Sequence, residues 1–293
     1  MTGSAGAFRV TVVGDVGLDV VAQVSGPIAY GQDTRAKVRV TPGGAGGNTA
    51  AWIAATGTPV SLIARVGDDQ AGRAATAELT AQGVDCRFAI DSELATCCVV
   101  VLVSPDGERT MLPDRGANAA LCPADVELPD RPEPRQHLHL SGYVLLDAAS
   151  RPAALHALAL AKAAGWTTSV DPQTTGHIRE IGAETFLSWL TDVDVLLPND
   201  SELAVLGGSA RVLDTVRTIV VTHGVRGASQ LGAGAPITVS APEVHRADST
   251  GAGDAFNAGW LASWLAGAAA GDALRAGVAA GTAAAGRVGA RPI

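Results

Sequence analysis

The strongest constraint on the fold is a repeated alternation of a short apolar run and a helical stretch closed by glycine. FRVTVVGD, from Phe8, reads as a strand that ends at Gly14-Asp15. Asn48 to Thr56 reads as a helix stopped by Gly57, VSLIARVG as the next strand, and Ala71 to Gln82 as a helix stopped by Gly83. HLHL, TTSV, VDVLL and RTIVV follow as strands, with a helical segment at Arg151 to Ala164. Glycine supplies the left-handed residue past a helix, and short apolar runs suit strands buried on both faces. The pattern predicts βαβ units, hence a mostly parallel sheet flanked by helices.

Composition narrows the function. A chain of 293 residues can bury a large core as one or two domains. A net charge of -8 and the lack of a basic run argue against a nucleic-acid partner. The N-terminus does not read as a signal peptide, and no apolar run is long enough to suggest a membrane span. Cys86, Cys97, Cys98 and Cys122 lack zinc-like spacing and read as reduced thiols, so a cytoplasmic protein is expected. Neither lysine, Lys37 or Lys162, lies in a GK[ST] context, which excludes a P-loop. Any phosphate must be met by backbone N–H groups, helix N-termini, arginine or a metal ion.

Polar residues close the predicted strands: Asp15, Ser141, Asp171, Asn199 and Thr222. In open α/β sheets the ligand crevice lies at these carboxyl ends. Two stretches break the rhythm. TRAKVRV alternates polar and apolar residues, and TCCVVVLVSPDGERTMLPD reads as a hairpin about Pro105-Asp106-Gly107. Both suit a small antiparallel sheet serving as a flap, a dimer surface or both.

Two helices begin in glycine-rich loops. In DSTGAGDAFNAG, Gly251, Ala252 and Gly253 leave free N–H groups open to an anion, and Asp254 follows at once. A helix N-terminus is expected to lower the pKa of Asp254 and weaken it as a base, yet an ionised acid still orients a hydroxyl and accepts its late-leaving proton. A plain helix cap explains the stretch equally well. In TPGGAGGNTAAW, Gly43, Gly44, Gly46 and Gly47 expose backbone before Asn48, which would hydrogen-bond a polyol; a glycine hinge is the alternative.

GGAGGN and DSTGAGDAFNAG, together with GDVGLD, RVGDDQAG, RGAN, PNDSE and THGVRG in order, resemble the ribokinase-like, PfkB-type carbohydrate kinases. The resemblance implies one domain over residues 1–293. Its fold would be a three-layer α/β sandwich with a central mostly parallel sheet, plus a small antiparallel β lid formed by about 28–42 and 86–113. It implies ATP- and Mg²⁺-dependent phosphorylation of a sugar-like alcohol. Asp254 would be the base, with Gly251, Ala252 and Gly253 giving the anion hole. Asp19, Gly43, Gly44, Asn48 and Asp15 would hold the acceptor. Asn199 and Glu202 match the NxxE motif that places magnesium through water. Thr222, Gly224, Arg226 and Gly227 would line the nucleotide site. Asp248 and Thr250 match positions that bind K⁺ in some relatives, and the lid pairs subunits in many of them.

Ala45 replaces a lysine usual in ribokinases, and DPQTTGHI lacks the DxNxR of fructokinase and ketodeoxygluconate kinase relatives. The acceptor is therefore expected to be a small sugar of unassigned identity. The alternatives are a nucleoside, for which Tyr30 and Tyr143 are the available tyrosine platforms, or a non-catalytic sugar or nucleotide sensor; a dinucleotide oxidoreductase ranks last. Arg115 would touch an anionic group or solvate a turn. His137 and His139, two apart on a strand, read as structural.

Overall fold

A computed structural model describes residues 8–106, 108–129, 135–243, 249–287 and 289–292. The chain begins β1 (Phe8–Val13), β2 (Gly17–Val24), β3 (Ala36–Gly43), α1 (Ala45–Ala55), β4 (Val60–Gly67), α2 (Gln70–Ala81) and β5 (Val84–Asp91). It continues through β6 (Cys97–Val103), β7 (Arg109–Asp114), β8 (Arg135–Ser141), α3 (Gly142–Leu146), α4 (Arg151–Ala163), β9 (Thr167–Asp171), α5 (Thr175–Ile181) and α6 (Ala183–Ser188). It ends with β10 (Val195–Leu196), α7 (Asp200–Val205), α8 (Ser209–Leu213), β11 (Thr218–Thr222), β12 (Ala228–Leu231), β13 (Ile237–Val239), α9 (Ala252–Leu265) and α10 (Ala270–Ala285).

Among the described residues nine strands form the main sheet, in the order β13-β12-β11-β10-β9-β8-β1-β4-β5. The seven from β11 to β5 pair in parallel, and β12 and β13 add an antiparallel edge. Each face of the sheet carries its own core. Val10, Val12 and Leu62 pack with Trp52, Phe256 and Trp260 on one side. Val13, Leu138 and Leu140 pack with Leu145, Ala157 and Phe186 on the other. Burial on both faces explains the unbroken apolar runs.

From β1 the sheet grows through β4 and β5 in one direction and through β8 to β11 in the other. This switch point opens a crevice at the carboxyl ends of β1 and β8. Asp15 and Ser141 mark it, with Ser141 Oγ donating to Asp15 Oδ1 at 2.9 Å.

The smaller sheet has the order β3-β2-β6-β7. β2–β3 and β6–β7 are antiparallel, and β2–β6 is parallel. Its boundaries differ from the expected 28–42 and 86–113. Gly17–Val24 joins it, because the chain leaves β1 through the switch point and continues as a new strand beside β3. Residues 86–91 belong instead to β5, paired with β4 along its whole length from Val60–Val84 to Gly67–Asp91. β5 is the edge strand of the main sheet, with mixed buried, partly buried and exposed positions. Gly107, at the hairpin tip, lies outside the described residues.

Candidate active site

α9 starts where two cavities meet. Gly251 and Asp254 line one of about 910 Å³, with Asp15, Asp19, Gly44, Asn48, Arg115 and Tyr143 among its other walls. Ala252 and Gly253 line another of about 440 Å³, with Thr222, Gly224, Gly227, Phe256 and Thr282. Ser249 borders both. Gly251 caps the helix at φ +73°, a left-handed conformation, and a Cβ there would lie 2.4 Å from the Ala290 carbonyl oxygen. At Gly253 a Cβ would meet nothing within 4 Å among the described residues, so its missing side chain leaves open space at the helix N-terminus.

Asp254 is 8% exposed. Asn48 Nδ2 donates to its Oδ2 at 3.1 Å, and Thr49 Oγ1 donates to its Oδ1 at 3.2 Å. The two glycine-rich helix starts therefore meet at one carboxylate. The expected fall in pKa does not occur. Burial pushes the Asp254 carboxyl up to about 7, and the nearby Asp15 charge adds to it; the Asn48 and Thr49 donors and the Arg291 charge oppose without winning. Desolvation of a charge in a dry site outweighs the partial charge of a helix end. Asp254 thus titrates near neutrality, where a general base works best.

The α1 start differs from expectation in another way. Its amides are not exposed: Ala45 N and Gly46 N donate to the Asp15 carboxylate, each at 3.2 Å, and Gly47 N donates to the Asp15 carbonyl at 3.0 Å. The protein fills this anion site with its own acid. A Cβ on Gly46 would sit 2.6 Å from Gly14 Cα, so small residues here permit close packing of backbone on backbone.

Sequence reading gave no role to Arg291. It is 6% exposed and spends its guanidinium on three partners. Nε donates to Asn48 Oδ1 at 3.1 Å, Nη1 to Glu78 Oε2 at 3.2 Å and Nη2 to the Gly43 carbonyl at 2.8 Å. Engaging Asn48 Oδ1 turns the amide so that its Nδ2 faces Asp254. Trp52 Nε1 donates to the Ala290 carbonyl at 2.9 Å and fixes the same segment. No local motif announced Arg291; only its place between GA and P in GARPI marks it.

Asp19, on β2, lines the larger cavity, and burial, with Asp15 next, pushes its carboxyl up to about 6. Asp171, at the end of β9, accepts from Asn257 Nδ2 at 2.6 Å, and burial, then Glu202 and Asp254, hold its pKa well above the usual range. Asn199 and Glu202 form a capping box on α7: Asn199 Oδ1 accepts from Glu202 N and Glu202 Oε2 from Asn199 N, both at 2.9 Å. Burial raises the Glu202 pKa. Asp171 thus feels the charges of two further buried acids, Glu202 and Asp254, but among the described residues no three His, Cys, Asp or Glu side chains group closely enough to hold a metal ion by themselves.

Thr222, Gly224 and Gly227 border the smaller cavity, whereas Arg226 does not. Its guanidinium pairs with Asp200 at 2.6 Å and its side chain is largely in solvent. Thr250 Oγ1 accepts from Arg109, so this hydroxyl faces a guanidinium; Asp248 lies outside the described residues. His137 and His139 are held neutral by burial and share the Ser169 hydroxyl, a structural network. All four cysteines are free thiols.

Residues 7–293 match the pfkB family of carbohydrate kinases. The chain is 34% identical to an ATP-dependent ribose-1-phosphate kinase of Halopiger xanaduensis, over 97% of this chain and 94% of that protein. It is 30% identical to fructokinase-1 of Zea mays, over 86% and 82% respectively. Among solved structures, a putative ribokinase II of E. coli in complex with ATP and Mg²⁺ superposes with a TM-score of 0.84 at 26% identity, covering 96% of this chain and 94% of that one.

Proposed function

Because the chain belongs to the pfkB family of carbohydrate kinases, we propose that it transfers the γ-phosphoryl group of ATP to a hydroxyl of a small sugar or sugar-like acceptor. One observation carries the reading: the start of α9, with a carboxylate of pKa about 7, forms the wall between two cavities. The smaller, lined by Gly224, Gly227, Ala252 and Gly253, suits a nucleotide that approaches backbone closely. The larger holds the acceptor against Asp19, Asn48 and Asp254.

In this reading Asp254 takes the acceptor's hydroxyl proton, the alkoxide oxygen bonds to the γ-phosphorus, and the β–γ bridging oxygen leaves with ADP. The Gly251 and Gly253 amides hold the equatorial oxygens of the transferring group, whereas Ala252 N, expected free, donates to the Ser249 carbonyl at 3.3 Å. Magnesium, when bound, neutralises phosphate charge, and Glu202 would hold it through water. The small sheet covers the acceptor cavity and excludes water, which competes as phosphoryl acceptor.

A sugar fits better than a nucleoside. Tyr30 is 93% exposed and Arg115 already covers one face of the Tyr143 ring at 5.3 Å, which leaves little aromatic surface for a base. On the outer side of the small sheet, cross-strand neighbours Val40, Val20, Val100 and Leu112 form an apolar row. Val40 and Leu112 are 61% and 53% exposed, which supports a homodimer through this face. Among the described residues no helix is long and apolar enough to cross a membrane. An ADP-release assay over pentoses, hexoses, keto-acids and nucleosides, run in K⁺ and in Na⁺, tests the reading; no acceptor-dependent ADP from any of them would overturn it.

A further inference from the structure

The wall of the smaller cavity is gripped from behind by side chains that take no part in phosphoryl transfer. Gly224, Val225 and Gly227 line this cavity, with Ala241 and Pro242 beyond β13. The loop that carries the first three, residues 222–227, has little of its own to hold it. Gly224 and Gly227 both take left-handed backbones, at φ +58° and +106°. Val225 is 63% exposed, so its apolar side chain does not anchor the turn. The loop's internal bonds close on themselves: His223 N donates to the Gly227 carbonyl at 2.8 Å, and Gly227 N to the Gly224 carbonyl at 3.1 Å.

Asp200 supplies the hold. It opens α7 directly after Asn199, which forms a parallel bridge with Thr222. Asp200 Oδ1 accepts from His223 Nδ1 at 2.7 Å, and Oδ2 accepts from Arg226 Nη2 at 2.6 Å. An ionised carboxylate only accepts, so the ring proton sits on Nδ1 and Nε2 is left to the Ser229 hydroxyl on β12, at 2.8 Å. Ser229 Oγ in turn lies 2.8 Å from Thr238 Oγ1 on β13. One line of hydrogen bonds thus runs from α7 through the loop to β12 and β13. It ties the Asn199–Glu202 capping box to the strands behind the cavity wall. Neither Asp200 nor His223 borders the cavity, so both act through the loop.

The two arms of Asp200 are unequal. The Arg226 side chain is 72% exposed and that of His223 20%. An ion pair in solvent contributes little, whereas a mostly covered hydrogen bond to a carboxylate contributes more.

We propose that His223 and Asp200 are positioning residues for the nucleotide: they set loop 222–227 in its binding form before the ligand arrives. Order supplied in advance raises affinity, because less freedom is lost on binding. The inference rests on the kinase reading in taking the ligand of the smaller cavity to be a nucleotide, so binding is measured apart from turnover.

Calorimetry with Mg²⁺ and AMP-PNP compares the wild type with His223→Ala, Asp200→Ala, Asp200→Asn and Arg226→Ala. Hydrogen–deuterium exchange follows the 222–229 amides without ligand, and ADP release gives kcat and KM. His223→Ala and Asp200→Ala should weaken AMP-PNP binding and raise KM for ATP about tenfold, with kcat at saturating ATP and KM for the acceptor held within about twofold. Exchange over 222–229 should quicken in the same two variants. Asp200→Asn keeps an oxygen for His223 Nδ1 and gives up the charge facing Arg226; it and Arg226→Ala should each change affinity by about threefold or less. A lower melting temperature or kcat with unchanged AMP-PNP affinity would mean a merely structural network and overturn the proposal. Equal losses in Arg226→Ala and His223→Ala would overturn it too, as would faster exchange without weaker binding. The expected series of AMP-PNP affinities with no ADP release from the wild type would sustain it and sink the kinase reading. Turnover with one nucleotide affinity across all variants would do the reverse.

Discussion

The two glycine-rich helix starts look alike as strings of letters and do opposite work. At α1 the N-terminal amides are closed by the Asp15 carboxylate, and a Cβ at Gly46 or Gly47 would run into Gly14 or Arg291. At α9 no side chain among the described residues caps the start, and Gly253 borders open space between two cavities. Glycine serves packing at one end and access at the other. The closed start supplies Asn48 and Thr49, which hold the carboxylate at the open one. A helix N-terminus is an anion site in either case; what differs is whether the protein has already occupied it.

Breaking the open start should have the largest effect. Asp254→Asn is expected to lower kcat by about 10²–10⁴ while the fold persists. In the wild type, kcat/KM should rise with pH through an apparent pKa near 7, the value to which burial moves this carboxyl. Stability should move the other way. The folded-state pKa lies above the ordinary 3.8, so this group's contribution is fully present below about pH 4 and is lost as pH rises toward and through 7. Melting temperatures of wild type and Asp254→Asn across pH 5 to 9 should therefore diverge, with the variant more stable at the alkaline end. A turnover near that of wild type would remove Asp254 from the chemistry.

Breaking the closed start should cost fold first, and Asp15→Ala should also lower the Asp254 pKa, because the Asp15 charge raises it and Asp15 lines the acceptor cavity. Asp15→Ala leaves the Ala45 and Gly46 amides and the Ser141 hydroxyl without their acceptor, a loss of about 3 kcal/mol in urea unfolding. Gly46→Ala forces a methyl to within 2.6 Å of Gly14 Cα and should cost about 1–3 kcal/mol. Gly253→Ala sharpens the contrast: stability should hold or rise by up to ~1 kcal/mol, while KM for ATP increases. If both alanines destabilise equally, the distinction between packing and access fails.

Arg291 joins the two starts, and its loss should give a smaller, mixed effect. Arg291→Met removes a positive charge that lowers the Asp254 pKa and frees the Asn48 amide to turn. The kcat/KM limb should shift to higher pH, with activity near neutrality down about tenfold. An unshifted limb with lowered stability would mean that Arg291 only holds the fold.

Much of the frame was legible before any coordinates. Apolar runs closed by glycine gave the parallel strands and their helices, because a strand buried on both faces must be apolar throughout. DSTGAGDAFNAG marked the open start, and the polar strand ends marked the crevice. Legibility failed where one string serves two structures. GLDVVAQV reads like any strand, and nothing local says that it leaves the main sheet for the smaller one. VDCRFAID, placed in the lid by the resemblance, pairs instead with β4 at the edge of the main sheet. Arg226 looked poised for phosphate from its loop, yet Asp200 claims it.

Local chemistry set the class of fold, the helix starts and the carboxylate between them, since backbone geometry and hydrophobic periodicity act over a few residues. Tertiary contact decided the rest. Burial moved Asp254 to about 7, Asp15 closed one glycine loop from 30 residues away, and Arg291 reached across 243 positions to turn Asn48. Such effects depend on which distant groups share a dry volume, and electrostatic energies in a dry volume are large enough to override the preferences of a short segment.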